Sequence, residues 1–190
     1  MRAYIAIELP KEIKDALGQL QQKLKETGAD VKGVATENIH LTLKFLGEIN
    51  DEQLKKITAI LDETARNNNP FQLRINSIGV FPKIDFPRVI WVDVDKGDGE
   101  SKKIAAQLEE KIAQIGIPKE KRDFSSHITI ARVQSLSHRD KLIQELNNLE
   151  GYFLKVNLQF NAAKITLFKS TLTPKGPIYE VQAEASLRAS

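Results

Sequence analysis

His40-Leu41-Thr42-Leu43 is answered, 87 positions later, by His127-Ile128-Thr129-Ile130. The chain holds three histidines in all, and two of them stand in these matched tetrapeptides. In an extended strand, residues i and i+2 project from one face. His40 therefore shares a face with Thr42, and His127 with Thr129, while Leu41, Leu43, Ile128 and Ile130 point into a core. A polar His-Thr pair on an otherwise apolar strand needs a reason. Two such pairs predict one site with two-fold pseudo-symmetry and two imidazoles aimed at one reacting group.

Outward from the motifs, the chain repeats an order of elements. Residues 2–9 alternate like a strand, and Ile13, Leu17, Leu20 and Leu24 recur at helical spacing over 11–27. A short extended run at Val31–Val34 precedes the first motif strand, 39–46. A helix is predicted over 51–66, stopped by Asn67-Asn68-Asn69-Pro70. Two β-rich runs, 71–80 and 88–95, flank a loop, 81–87, that holds two prolines. Then come a helix over 100–115, the second motif strand at 126–134, a shorter helix at 138–148, and strands at 152–160, 163–170 and 178–185, with turns at Asn161 and at 173–177. The fold class this order predicts is α+β, a bilobal domain over residues 1–190. Two pseudo-symmetric lobes carry antiparallel sheets facing a central cleft, with helices outside and one motif strand in each lobe.

Composition excludes several classes. The 190 residues are 41% hydrophobic and 28% charged, as in an ordinary globular protein. There is no cysteine, so disulfides and thiolate-bound zinc are absent. No run approaches the ~20 apolar residues of a membrane span. The opening residues Met1–Pro10 are too short and too polar an apolar run for a signal peptide, so a cytoplasmic protein with no membrane association is expected. The net charge of +3 and pI near 9.0 accommodate a polyanion without demanding one.

With its flanks, the double motif resembles the two-histidine (2H) phosphoesterase superfamily. The matching text is Arg2-Ala3-Tyr4-Ile5-Ala6-Ile7, Glu37 to Gly47, Pro87-Arg88-Val89-Ile90-Trp91-Val92, Phe124 to Arg132, Leu167-Phe168-Lys169-Ser170 and Gly176-Pro177-Ile178-Tyr179. These stretches look like the RNA 2′,3′-cyclic phosphodiesterase branch, also called RNA 2′-5′ ligase, over nearly the whole chain. One departure is visible: Ser125-Ser126 stands where the resemblance leads one to expect Arg-Pro. The resemblance implies a basic cleft, no metal, no cofactor, a monomer, and RNA with a 2′,3′-cyclic phosphate end, or a related nucleotide, as partner. Water opens the ring to a 2′-phosphate. A 5′-hydroxyl in place of water would give a 2′-5′ linkage.

Opening a cyclic phosphodiester is an in-line displacement that needs a base for the attacking water and an acid for the departing ribose oxygen. Imidazole serves either role near neutrality. His40 and His127 are thus the expected catalytic pair; the resemblance makes His40 the acid and His127 the base. Thr42 and Thr129, beside them, are suited to hold the phosphate oxygens that gain charge. Lys44, at i+4 on the first strand, is expected on the same face as a further phosphate contact, with Ala131 as its counterpart. Arg132 is expected to point away.

Blander readings compete. A lone strand histidine is more often structural than catalytic, and Thr favours strands in any case. His138, at a helix start in Ser137-His138-Arg139-Asp140, reads as exposed or capping. Trp91, Phe45 and Phe124 read as core before base-stacking platforms. No carboxylate cluster or third motif histidine suggests zinc. The competing function is a non-catalytic nucleotide or RNA-end binding module of the same fold. A third is a phosphodiesterase for another small cyclic or 2′-5′ nucleotide.

Overall fold

The computed structural model describes residues 1–188, so the last two residues of the domain expected over 1–190 lie outside the described residues. Along the chain run β1 (Arg2–Glu8), α1 (Lys11–Glu26), β2 (Val31–Gly33), β3 (His40–Glu48), α2 (Asp51–Arg66), β4 (Phe71–Lys83) and β5 (Phe86–Val94). They are followed by α3 (Asp98–Ala113), β6 (His127–Val133), α4 (Arg139–Phe153), β7 (Leu158–Ala162), β8 (Lys164–Thr173) and β9 (Gly176–Ser186). Local chemistry sets many of these bounds. Asn50 begins α2 with a capping box, accepting from the Gln53 amide while the Gln53 side chain accepts from the Asn50 N–H. Such a cap contributes about 1 kcal/mol.

The strands form two antiparallel sheets, ordered β3-β1-β8-β9 and β2-β6-β5-β4-β7. Helices α2 and α3 pack on the first, and α1 and α4 on the second. The architecture is therefore the α+β, two-sheet arrangement expected. The lobes, however, are not the two halves of the chain. Strands β1 and β3 pair into a sheet with β8 and β9 from the far end, while β2 crosses to the second sheet, where it pairs with β6. One buried cluster containing Ile5, Leu17, Leu41, Ile57, Ile90, Leu108, Ile128 and Ile165 runs through both layers.

Several element boundaries differ from expectation, among them the turn expected at 173–177, where β8 continues to Thr173 and β9 begins at Gly176. Helix α4 continues to Phe153, because Leu142, Leu146, Leu149 and Phe153 extend one buried stripe at helical spacing; the strand expected at 152–160 shrinks to Leu158–Ala162, and its turn falls at Ala163, not Asn161. The proline-containing 81–87 is not a loop but the end of the β4–β5 hairpin, with Pro82 opposite Pro87. There the hairpin projects past its neighbours: β7 pairs only with Phe71–Ile75, and β6 only with Val89–Asp93. No further ladder bond is required of either proline.

Candidate active site

Each motif strand carries a β-bulge at the same place, three residues after its histidine. On β3, Thr42 pairs with Ala6 and Lys44 with Ile5, leaving Leu43 unpaired. On β6, Thr129 pairs with Trp91 and Ala131 with Ile90, leaving Ile130 unpaired. A bulge puts two consecutive residues on one side and inverts the alternation beyond it. His40 and Thr42 keep the cleft face, as do His127 and Thr129. Beyond the bulges the cleft face passes to Phe45 and Arg132.

Lys44 is thereby corrected. It faces the helix side, is 2% exposed, and its ammonium lies 2.8 Å from a carboxylate oxygen of Glu109 on α3 and donates to the Pro118 carbonyl at 3.1 Å. It is a buried ion-paired lysine away from the cleft, not a phosphate contact. Arg132 is corrected in the opposite sense: it shares the cleft face with His127 and Thr129. The second bulge is held by Gln21 of α1, itself buried, whose Nε2 donates to the carbonyls of Ile130 and Val34, each at 2.7 Å. At each bulge a buried polar side chain links the motif strand to a helix from the other half of the sequence: Lys44 to Glu109 of α3, and Gln21 of α1 to Ile130.

The two histidines sit in unlike surroundings. His40 stacks on Tyr4 (centroids 4.7 Å, planes 20° apart), meets Tyr179 edge-on at 5.4 Å, and has Phe168 stacked behind Tyr4 at 5.2 Å. Its Nδ1 lies 2.7 Å from the Asn38 carbonyl oxygen. A carbonyl only accepts, so Nδ1 carries the hydrogen and the lone pair of the neutral ring is on Nε2. Burial pushes the His40 pKa down to about 4, only partly offset by the Asn38 contact. The same burial raises the phenols of Tyr4 and Tyr179; Arg2 and Arg132 partly oppose it at Tyr179.

His127 is more open. Its ring lies flat on the Trp91 indole, centroids 3.8 Å apart and planes within 3°. Its Nε2 is 3.2 Å from Asp93 Oδ1, on the neighbouring strand position. Asp98, at the start of α3, is held below the usual carboxylate range chiefly by Lys102, with a smaller pull from the His127 imidazole. Gly79 makes room for the indole: a Cβ there would lie 2.3 Å from its ring. The motif strands β3 and β6 come into contact.

Trp91 and Phe45 therefore depart from the core reading. Trp91 packs on a motif histidine, and Phe45 is 58% exposed on the cleft face; Phe124 packs against the core as expected. His138 is exposed at the N-cap of α4, with positive φ and its Nδ1 3.0 Å from the Ser137 hydroxyl; its side chain does not cap the helix. Asp93 and Gly79 were not singled out by the sequence. An acidic residue in a motif-adjacent strand was the one available signal for Asp93. No group of three or more His, Asp or Glu side chains that would hold a metal is assembled among the described residues.

The chain is similar to known proteins along nearly its whole length. The family described as LigT like Phosphoesterase matches residues 7–91 and 92–179. The RNA 2′,3′-cyclic phosphodiesterase of Methanocaldococcus jannaschii is 36% identical over 184 residues, covering 97% of this chain and 99% of that protein. Its counterpart from Methanothermobacter thermautotrophicus is 35% identical, covering 94% and 95%. Among solved structures, TT0787 of Thermus thermophilus superposes with a TM-score of 0.83 at 28% identity over the full length of both chains.

Proposed function

This chain belongs to the LigT-like phosphoesterase family, and from that membership we infer that it is an RNA 2′,3′-cyclic phosphodiesterase. The substrate is an RNA 3′ end closed as a 2′,3′-cyclic phosphate. The water oxygen bonds to phosphorus, the bond from phosphorus to O3′ breaks, and a 2′-phosphate with a free 3′-hydroxyl remains. The observation that carries the reading is the pair of His-Thr faces, each set by a bulge at the same offset, on strands that come into contact. A binding module has use for phosphate donors but none for two proton carriers.

His40 and His127 are the proposed catalytic residues. Each contributes roughly 10²–10⁴ in rate as acid or base. Thr42 and Thr129 donate to the non-bridging oxygens, and Arg132 adds positive charge on the same face. In the assigned order His40 protonates O3′ and His127 deprotonates water. The resting site constrains that order. With a pKa of about 4, His40 is neutral near pH 7 with Nε2 unprotonated, so Nε2 takes up a proton together with the anionic phosphate. To take a proton from water through Nε2, His127 must leave Asp93 Oδ1 and carry its own ring hydrogen on Nδ1. Catalysis of this kind asks nothing of a metal, and the reverse reaction with a 5′-hydroxyl is 2′-5′ ligation at the same residues. Residues 1–190 act in this scheme as one bilobal domain. The test is product identity: an end-labelled RNA with a cyclic phosphate should give only the 2′-phosphate, and a 3′-phosphate product contradicts the scheme.

A further inference from the structure

The pairing register orders the cleft face of the second sheet into rows. His127, Asp93 and Ser77 form one; Thr129, Trp91 and Gly79 the next; then Lys32, Arg132, Val89 and Phe81 across four strands. A second irregularity, after Phe81, leaves Lys83 opposite Phe86 as the last row on that face. Successive rows are about 7 Å apart along the strands. Two phenylalanines therefore continue the line that begins at Trp91 and leave the catalytic rows along the projecting hairpin.

Both rings are bare where a core residue would be covered: Phe81 is 51% exposed and Phe86 47%. Each carries cations. The Arg122 guanidinium, from the segment leading to His127, is 5.7 Å from the Phe81 centroid. The Lys83 ammonium is 5.2 Å, and the Arg139 guanidinium 6.0 Å, from that of Phe86. Arg139 also donates to the Asp85 carbonyl at the hairpin tip. Exposed rings interleaved with cations, next to Arg132 and Lys32 in the same row, suit a polyanion with flat bases. An apolar protein partner would have to strip and bury those charges. The corresponding β8–β9 hairpin exposes Leu172 and Ile178 and has no exposed aromatic ring at its end.

We propose that the β4–β5 hairpin is a binding platform for single-stranded RNA, taking the nucleotides that precede the 3′ end held between the motif histidines. Bases stack on Phe81 and Phe86, while Lys83, Arg122, Arg132 and Lys32 track the phosphates. The direction of the strand rests on the phosphodiesterase reading; the platform itself does not. Base-aromatic stacking of this kind is sequence-tolerant and sensitive to salt.

The test compares wild type with Phe81→Ala/Phe86→Ala and with Lys83→Glu, all at exposed positions, with thermal melts to confirm folding. On a hexanucleotide ending in a 2′,3′-cyclic phosphate, kcat/KM should fall roughly tenfold or more in each variant, mainly through KM. On a 2′,3′-cyclic mononucleotide it should stay within about twofold, since one nucleotide never reaches the hairpin. Equal losses on both substrates, or none on either, overturn the proposal. A wild type that hydrolyses neither substrate would refute the phosphodiesterase reading instead. Fluorescence anisotropy with a 3′-hydroxyl hexanucleotide then decides the platform alone: roughly tenfold weaker binding in the variants supports it, and unchanged binding overturns it.

Discussion

The His127 imidazole and the Trp91 indole lie parallel, 3.8 Å between centroids, and the far edge of that indole fills the space above Gly79. The ring proposed to carry a catalytic proton is thus set by a residue two strands away that has no side chain.

Gly79→Ala places a Cβ 2.3 Å from the indole, so the indole must move and His127 loses its flat support. The variant is expected to lose roughly 10- to 100-fold in kcat, with KM little changed, because the error is one of positioning. In a Trp91→Leu background the same substitution meets no indole, and its further effect should nearly vanish. Steady-state kinetics of the two single variants and the double variant check this. Additive losses would show that Gly79 acts by another route.

Burial sets the pH behaviour of His40. Its pKa of about 4 in the free enzyme should appear as the acid limb of kcat/KM, whichever proton His40 handles. Stability follows with a definite sign. Above about pH 6.5 both folded and unfolded states hold His40 neutral; between 6.5 and 4 only the unfolded chain takes up the proton, so stability falls as pH drops through that window. The loss is about 3 kcal/mol from this group. Urea melts at about pH 7 and about pH 4.5 should show a smaller decrease in His40→Asn than in wild type. An acid limb at about pH 6–7 would contradict the burial argument.

The Lys44–Glu109 pair should prove structural. Lys44→Met strands a half-buried carboxylate, and Glu109→Leu strands a buried ammonium; each is expected to cost about 3 kcal/mol in denaturant melts. Lys44→Met/Glu109→Leu should recover most of that and hydrolyse substrate at close to the wild-type rate. A folded double variant with a tenfold higher KM would return Lys44 to the phosphate site.

The order of acid and base is separable with a p-nitrophenyl phosphodiester, whose leaving group needs no proton. His40→Ala should be rescued on it far more than His127→Ala. The opposite pattern would reverse the roles, with the neutral Nε2 of His40 as the resting base.

The two His-Thr faces were legible because period-two alternation holds up to each bulge. What lay beyond was not. A one-residue bulge leaves little trace in composition: Ile130-Ala131 shows two consecutive inward apolar residues, but the charge of Lys44 hid the same event after Leu43. Phe45 and Arg132 were assigned to the wrong face for that reason. The interleaving of the lobes depends on pairings such as Tyr4 with Phe168, which no local pattern encodes. Residues 152–157 are rich in aromatic and branched side chains, and that propensity outweighed the helical stripe ending at Phe153. Trp91 read as core because a single large apolar residue carries no sign of what its ring faces.

In the proposed mechanism two imidazoles alone carry the proton transfers of cyclic phosphate opening. It is tested by single-turnover rates on an RNA with a 2′,3′-cyclic phosphate end, in EDTA, for wild type, His40→Ala, His127→Ala and the double variant. Wild type should keep full activity, each single variant should lose at least ~10²-fold, about 3 kcal/mol of barrier, and the double variant should lose less than the product of the two. Activity abolished by EDTA and restored by a divalent ion, or a near-normal rate in either single variant, would contradict it.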